Sequence, residues 1–284
     1  MIQIKQLQVD NLLIQYSYGL VKDASIEVDL VSANTPIVIL HGWNSDGVAK
    51  WQATIEKLAI LNPNQEVLAI NMPGFGPSQP PNLVCGVGQY ADFIVKVLEK
   101  LQIKQCVLVG HSFGGAVGAW IAAKNSSLVI NLILCGAAIV RPSLTFKQKC
   151  ISFVAKSLKP IISKNNLLNN LLEKNIIIGK IFIKLTGSSD YSKSSGIMKQ
   201  IMTKVIRQDT EFILPEIVQP TLIVFGQQDT YTPIYQAKLI HKGIKNSKLI
   251  ILPSINHGIH LNSQAKLPEI ITDYIKNQPS TQNI

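Results

Sequence analysis

The sequence predicts an α/β protein: a mostly parallel twisted sheet with helices on both faces, carrying an inserted helical cap. Three observations predict it. Short apolar runs alternate along the chain with amphipathic stretches of helical length. The pattern Gly-x-Ser-x-Gly, at Gly110-His111-Ser112-Phe113-Gly114, stands between one such run and one such stretch. All of the excess positive charge falls in a single segment.

The apolar runs are residues 36–40, 67–71, 106–109, 130–135, 221–225 and 248–252, each short enough for a buried strand. Between them, residues 48–61, 87–101, 113–124, 234–243 and 264–276 have helical length. Strand-helix alternation of this kind implies parallel strands, because each crossover returns the chain to the same edge. Residues up to about Val31 alternate more weakly. With a turn signal near Tyr18-Gly19, they are expected to supply an antiparallel edge. The polar residues 279–284 are expected to fray.

Between Arg141 and Asp209 there are 13 lysines and arginines against three acids. The rest of the chain holds 14 of each sign, so the net charge of +10 belongs to this segment. Within it, residues 146–158, 161–172 and 176–185 are each apolar on one side and studded with lysines, and Pro160 and Gly179 punctuate them. The segment 141–209 therefore reads as a basic helical cap. It is expected over the carboxyl end of a core formed by residues 1–140 and 210–284, the end where open α/β sheets bind ligands.

At 284 residues, 46% of them hydrophobic and 15% charged, the chain is globular. No run of 18 apolar residues exists, so no spanning helix is expected. Met1 to Gln6 lead into no long apolar stretch, so no secretory leader is expected. Cys85, Cys106, Cys135 and Cys150 form no Cys-x-x-Cys pair. They read as inert thiols in a reduced, cytoplasmic setting. The lysines of the cap have two readings: a solvated helical face, or an amphipathic lid that rests on anionic membrane lipid or attracts acidic substrates. Nucleic-acid binding needs stacking or groove-reading elements beside the charge, and none is visible.

The chemistry centres on Ser112. A serine on a tight strand-to-helix turn needs small neighbours, which Gly110 and Gly114 provide, and the turn presents its hydroxyl at the carboxyl end of the sheet. A serine hydroxyl is a weak nucleophile at neutral pH. It needs a histidine to take its proton and an acid to orient that histidine. Asp229 follows the 221–225 run and His257 follows the 248–252 run, so both fall at the same sheet edge in the order Ser, Asp, His. Asp190 and Asp209 are rival acids, but neither follows a strand of the sheet. His260 is the rival base; it leads into the next helix, whereas His257 stands directly in the loop before Gly258. Taken singly, Asp229 also suits a loop or helix-capping acid. A tetrahedral intermediate further needs N–H donors for its negative oxygen. Phe113, at the start of the helix, and Trp43, in the loop His41-Gly42-Trp43-Asn44, are the candidates.

These pieces together resemble the α/β-hydrolase superfamily. The matching residues are His41-Gly42-Trp43, Met72-Pro73-Gly74-Phe75-Gly76-Pro77-Ser78, Gly110-His111-Ser112-Phe113-Gly114-Gly115, Asp229 with Pro233, and Asn256-His257-Gly258. The resemblance covers about residues 10–276. It implies a hydrolase of esters, amides or activated C–C bonds that needs no cofactor and no metal, with a cap after the sixth strand. It carries the triad onto Ser112, Asp229 and His257 and the oxyanion donors onto Trp43 and Phe113. His41, Gly42, Gly110, His111 and Gly114 become supports of the elbow and its neighbouring loop. Ser112 sets aside the relatives that need an aspartate nucleophile, the epoxide hydrolases and haloalkane dehalogenases. Asn71 stands where aspartate is common in the family, and Asn44-Ser45-Asp46 replace a more glycine-rich stretch.

The expected function is hydrolysis of a small-molecule carboxylic ester through an acyl-enzyme on Ser112. Two alternatives stay open: a C–C bond hydrolase acting on a vinylogous diketone, and a low-turnover ligand receptor on the same fold. The sequence leaves acyl chain length and oligomeric state unassigned.

Overall fold

Parity of side chains explains why the central strands are apolar at nearly every position. The computed structural model of the chain describes residues 2–22, 35–44, 46–141 and 196–278, and elements are numbered in chain order over these. Its strands are β1 (Ile2–Val9), β2 (Leu12–Gly19), β3 (Ile37–Leu40), β4 (Val67–Ile70), β5 (Cys106–His111), β6 (Val129–Cys135), β7 (Thr221–Gly226) and β8 (Ser247–Leu252). Val38, Leu40, Leu108, Leu132, Leu134 and Phe225 point to one face. There they pack with α2 (Val87–Lys100), α3 (Phe113–Lys124) and α5 (Ile234–Gly243). Ile37, Ile39, Val107, Val109, Ile133 and Val224 point to the other, where α1 (Gln52–Leu61) and α6 (Leu267–Lys276) lie. Both faces are covered, so neither alternate set can be polar. Each fully buried Val, Leu or Ile contributes about 1.5–3 kcal/mol.

The eight strands follow the order β1-β2-β4-β3-β5-β6-β7-β8. All pairs from β4 to β8 are parallel, while β1–β2 and β2–β4 are antiparallel. The chain leaves β3 toward β4 on one side and returns to β5 on the other. That reversal opens a crevice beyond the carboxyl ends of β3 and β5, where Leu40 pairs with Gly110. This is the α/β architecture expected from the alternating runs.

Details differ at three places. The N-terminal hairpin turns at Asp10-Asn11, not near Tyr18-Gly19: Val9 pairs with Leu12, and Asp10 adopts φ 49°. Asp and Asn tolerate that left-handed region better than most residues, and Tyr18-Gly19 instead pair with Leu68 and Val67 of β4. The stretch 48–61 is a 3₁₀ turn, Gly47–Trp51, followed by α1. The stretch 264–276 is helical only from Leu267, because Lys266 is left-handed at φ 47° and Pro268 sits in the first helical turn.

Of the expected cap, residues 142–195 lie outside the described residues, as does Cys150. Residues Gly196–Arg207 form α4, whose Ile201 and Val205 enter the same core as α2 and α3. The half-buried guanidinium of Arg141 donates to the carbonyl oxygens of Val205 and Gln208 at the end of α4. Arg141 is thus tied to the C-terminal end of α4, which itself packs in the core. Among the described residues no helix is long and apolar enough to cross a membrane.

Candidate functional site

Ser112 occupies the turn from β5 into α3 with φ 52° and ψ −115°. A non-glycine residue held there costs about 1–3 kcal/mol, which the surrounding packing must override. Close approach is what requires glycine on either side. A Cβ on Gly110 would lie 2.5 Å from the Gly114 oxygen, and one on Gly114 would collide with the carbonyl oxygens of Leu40 and His41. The Ser112 N–H donates to Cys135 O at 3.0 Å, and the Ala138 N–H donates to Ser112 O at 3.0 Å. The serine backbone is therefore pinned to the loop after β6.

Gly136, in that same loop, faces the other two residues. A Cβ there would sit 3.3 Å from both Asp229 Oδ2 and His257 Nδ1. His257 Nδ1 lies 2.7 Å from Asp229 Oδ2, and the Asp229 side chain is fully buried. The same oxygen accepts from Thr232 Oγ1 at 2.8 Å. Oδ1 accepts from the Tyr231 and Thr232 N–H groups at 2.9 and 2.8 Å. Burial raises the carboxyl pKa, but the bond to and charge of His257, with the Thr232 bonds, outweigh it and hold Asp229 below its ordinary value. An ionised Asp229 only accepts, so His257 Nδ1 carries a proton and donates it to Asp229; in the neutral ring Nε2 is then the nitrogen left to take a proton. Tyr231 lies along the His257 ring at a centroid distance of 5.1 Å.

The loop after β3 is set by His41, which is wholly buried. The Met72 N–H donates to its Nε2 at 3.1 Å, so Nδ1 carries the proton and donates to Gly42 O at 2.6 Å. That bond fixes the backbone leading into Trp43. The Trp43 ring meets Phe75 at 4.9 Å and Phe113 at 5.3 Å, both edge to face. Phe75 comes from the Met72 to Ser78 turn, which the Tyr90 hydroxyl anchors at Pro73 O. Among the described residues, the N–H groups of Trp43 and Phe113 donate to no protein acceptor. The second also lies at the positive end of α3. Asn71, the departure from the family pattern, accepts the Val48 N–H at 2.8 Å through Oδ1 and so holds the Gly47–Trp51 turn.

The structure therefore brings Ser112, Asp229, His257, Trp43 and Phe113 to one edge of the sheet, with His41, Gly42, Gly110, His111 and Gly114 behind them. His260 does not meet Asp229: it stacks on Trp51 at 4.3 Å, packs against His111 at 4.6 Å, and among the described residues neither of its nitrogens has a hydrogen-bond partner. Asp209 accepts from the Glu211 N–H, and Asp190 lies outside the described residues. Sequence reasoning missed Thr232. Its one signal was a hydroxyl residue three positions after the acid and directly before Pro233, where the chain is extended.

Neutral buried histidines set the acid stability. Burial pushes His41 down to about 4 and His260 down to about 3, from 6.5. As pH falls below 6.5 the unfolded chain gains these protons while the native state does not until about 4 and 3. The unfolded state then binds more protons, so stability falls as pH is lowered through that window. Tm followed by circular dichroism should drop between pH 6.5 and 5, before most carboxylates titrate. A flat Tm there would contradict neutral burial.

The fold is the α/β-hydrolase fold. A family model described as the alpha/beta hydrolase fold matches residues 35–158. The chain is 27% identical over 252 residues to the uncharacterized hydrolase YugF of Bacillus subtilis, covering 84% of this chain and 89% of that protein. It is 23% identical over 264 residues to the 2-hydroxy-6-oxo-2,4-heptadienoate hydrolase of Pseudomonas putida, covering 88% and 93%. The solved structure of the esterase EaEST from Exiguobacterium antarcticum superposes with a TM-score of 0.67 at 21% identity, covering 95% and 97%. The chain has the α/β-hydrolase fold, and its residues 35–158 match that family's model.

Proposed function

We propose that the protein is a cofactor-free serine hydrolase of carboxylic esters. The observation that carries this reading is the 2.7 Å bond between His257 Nδ1 and the buried Asp229, set at the sheet edge that holds the strained Ser112. In this mechanism Ser112 Oγ attacks the ester carbonyl and its proton passes to the bare His257 Nε2. The Trp43 and Phe113 N–H groups receive the negative oxygen, a contribution of roughly 3 kcal/mol per donor. His257 returns the proton to the leaving alcohol, and the acyl group stays on Ser112. Water then repeats the sequence, releasing the acid and regenerating the serine. Asp229 keeps His257 in the required tautomer and stabilises its charged form.

The similarity to a 2-hydroxy-6-oxo-2,4-heptadienoate hydrolase favours a second reading, cleavage of an activated C–C bond. Kinetics on p-nitrophenyl esters from C2 to C16, beside that dienoate, separate the two. Ester hydrolysis predicts a kcat/KM for the best ester at least roughly tenfold above that for the dienoate. The reverse order would overturn the ester reading, and turnover of neither would leave a receptor on a hydrolase fold.

A further inference from the structure

His111, the last residue of β5, is buried and directly precedes Ser112. Its Nε2 lies 2.9 Å from the carbonyl oxygen of His257. A carbonyl only accepts, so Nε2 carries the proton and donates. A neutral ring then leaves Nδ1 bare, and Nδ1 is buried with no hydrogen-bond partner among the described residues. Gly42 presses on it: a Cβ there would stand 2.7 Å from His111 Nδ1 and 3.1 Å from Ser112 Cβ.

The ring cannot turn away. His260 meets it edge to face at 4.6 Å and itself stacks on the buried Trp51 at 4.3 Å with the planes 4° apart. Trp51 is fixed in turn by the Gly47–Trp51 segment that Asn71 holds. A second proton on Nδ1 would find no acceptor, and the groups around it are the imidazoles of His41, His257 and His260. Burial and those three neighbours all disfavour a charged ring.

We propose that His111 is a positioning residue for the base: its Nε2–H holds the His257 backbone in place while Asp229 holds the His257 ring. One side chain then fixes the nucleophile's strand against the base's loop. Asp229 grips His257 at Nδ1 and His111 grips it at the carbonyl, so the residue is fixed at both ends. The inference rests on the reading of His257 as the base.

Two substitutions and one measurement on the unaltered protein test it. Glutamine places an N–H donor as far along the side chain as His Nε2, whereas asparagine reaches only as far as Nδ1. His111→Asn should lower kcat on p-nitrophenyl acetate about thirty- to hundredfold with KM within about twofold, since misplacement by an ångström costs that order. His111→Gln should recover the rate to within about fivefold of the original. Equal rates for His111→Asn and the original, or equal impairment in both variants, would overturn the proposal. In the original protein, ¹⁵N NMR of labelled histidine should show His111 protonated at Nε2 and bare at Nδ1 at pH 7. The opposite tautomer or a charged ring would overturn it even where His111→Asn fails to fold. Absence of any Ser112-dependent hydrolysis in the original protein would instead overturn the ester reading, and the NMR result would still judge His111.

Discussion

Ser112→Ala should remove p-nitrophenyl acetate hydrolysis, lowering kcat by at least about three orders of magnitude, because nucleophile and base act as one unit. The substitution deletes one oxygen. The glycines that form the turn stay, and so do the backbone bonds to Cys135 and Ala138. Tm should therefore stay close to that of the original, since alanine keeps the same backbone conformation and its strain. Activity retained in a folded Ser112→Ala variant would remove the serine from the mechanism.

His257→Ala should lose activity to a similar degree, again about three orders of magnitude. The loss has a specific physical origin. Without the imidazole Ser112 loses the base that Asp229 orients, and the buried Asp229 carboxylate loses its His257 bond while keeping Thr232 and two backbone N–H groups. His260→Ala should lose far less, about tenfold or under, through the slackened wall behind His111 rather than through proton transfer. Equal losses at His257 and His260 would mean that the base is assigned to the wrong ring.

Much of this was legible in the sequence. The order Ser112, Asp229, His257 could be read because each follows an apolar run, and buried parallel strands are apolar at nearly every position. The glycine pair around Ser112 could be read because close helix-strand packing leaves no room for a Cβ. Other features left no such trace. β1 is mostly solvent-exposed and reads as polar, so the hairpin turn at Asp10-Asn11 was overlooked in favour of Tyr18-Gly19. The 3₁₀ break before α1 comes from tertiary contacts, chiefly Asn71 reaching Val48, that sit 23 residues apart. Thr232 and the His111–His257 bond were hidden for the same reason. A hydroxyl in a polar loop and a histidine inside a motif look ordinary until the fold sets them beside the acid and the base.

The substitution of aspartate by Asn71 shows how far a family pattern alone reaches. An aspartate and an asparagine both offer an oxygen to the Val48 N–H, and here Asn71 supplies it to the turn that carries Trp51. The amide also donates, to Gln15 Oε1 at 3.4 Å, which a carboxylate could not do. The departure thus alters the loop's partners and leaves the sheet edge in place.

The central claim is that Ser112 becomes covalently acylated. The most direct measurement is peptide-level mass spectrometry of the protein after treatment with a fluorophosphonate, which captures an activated serine as a stable phosphonyl ester with loss of fluoride. The account predicts one adduct, on the peptide containing Ser112, absent from both Ser112→Ala and His257→Ala. An adduct on another residue, or an unmodified Ser112 after prolonged treatment of the folded protein, would contradict it.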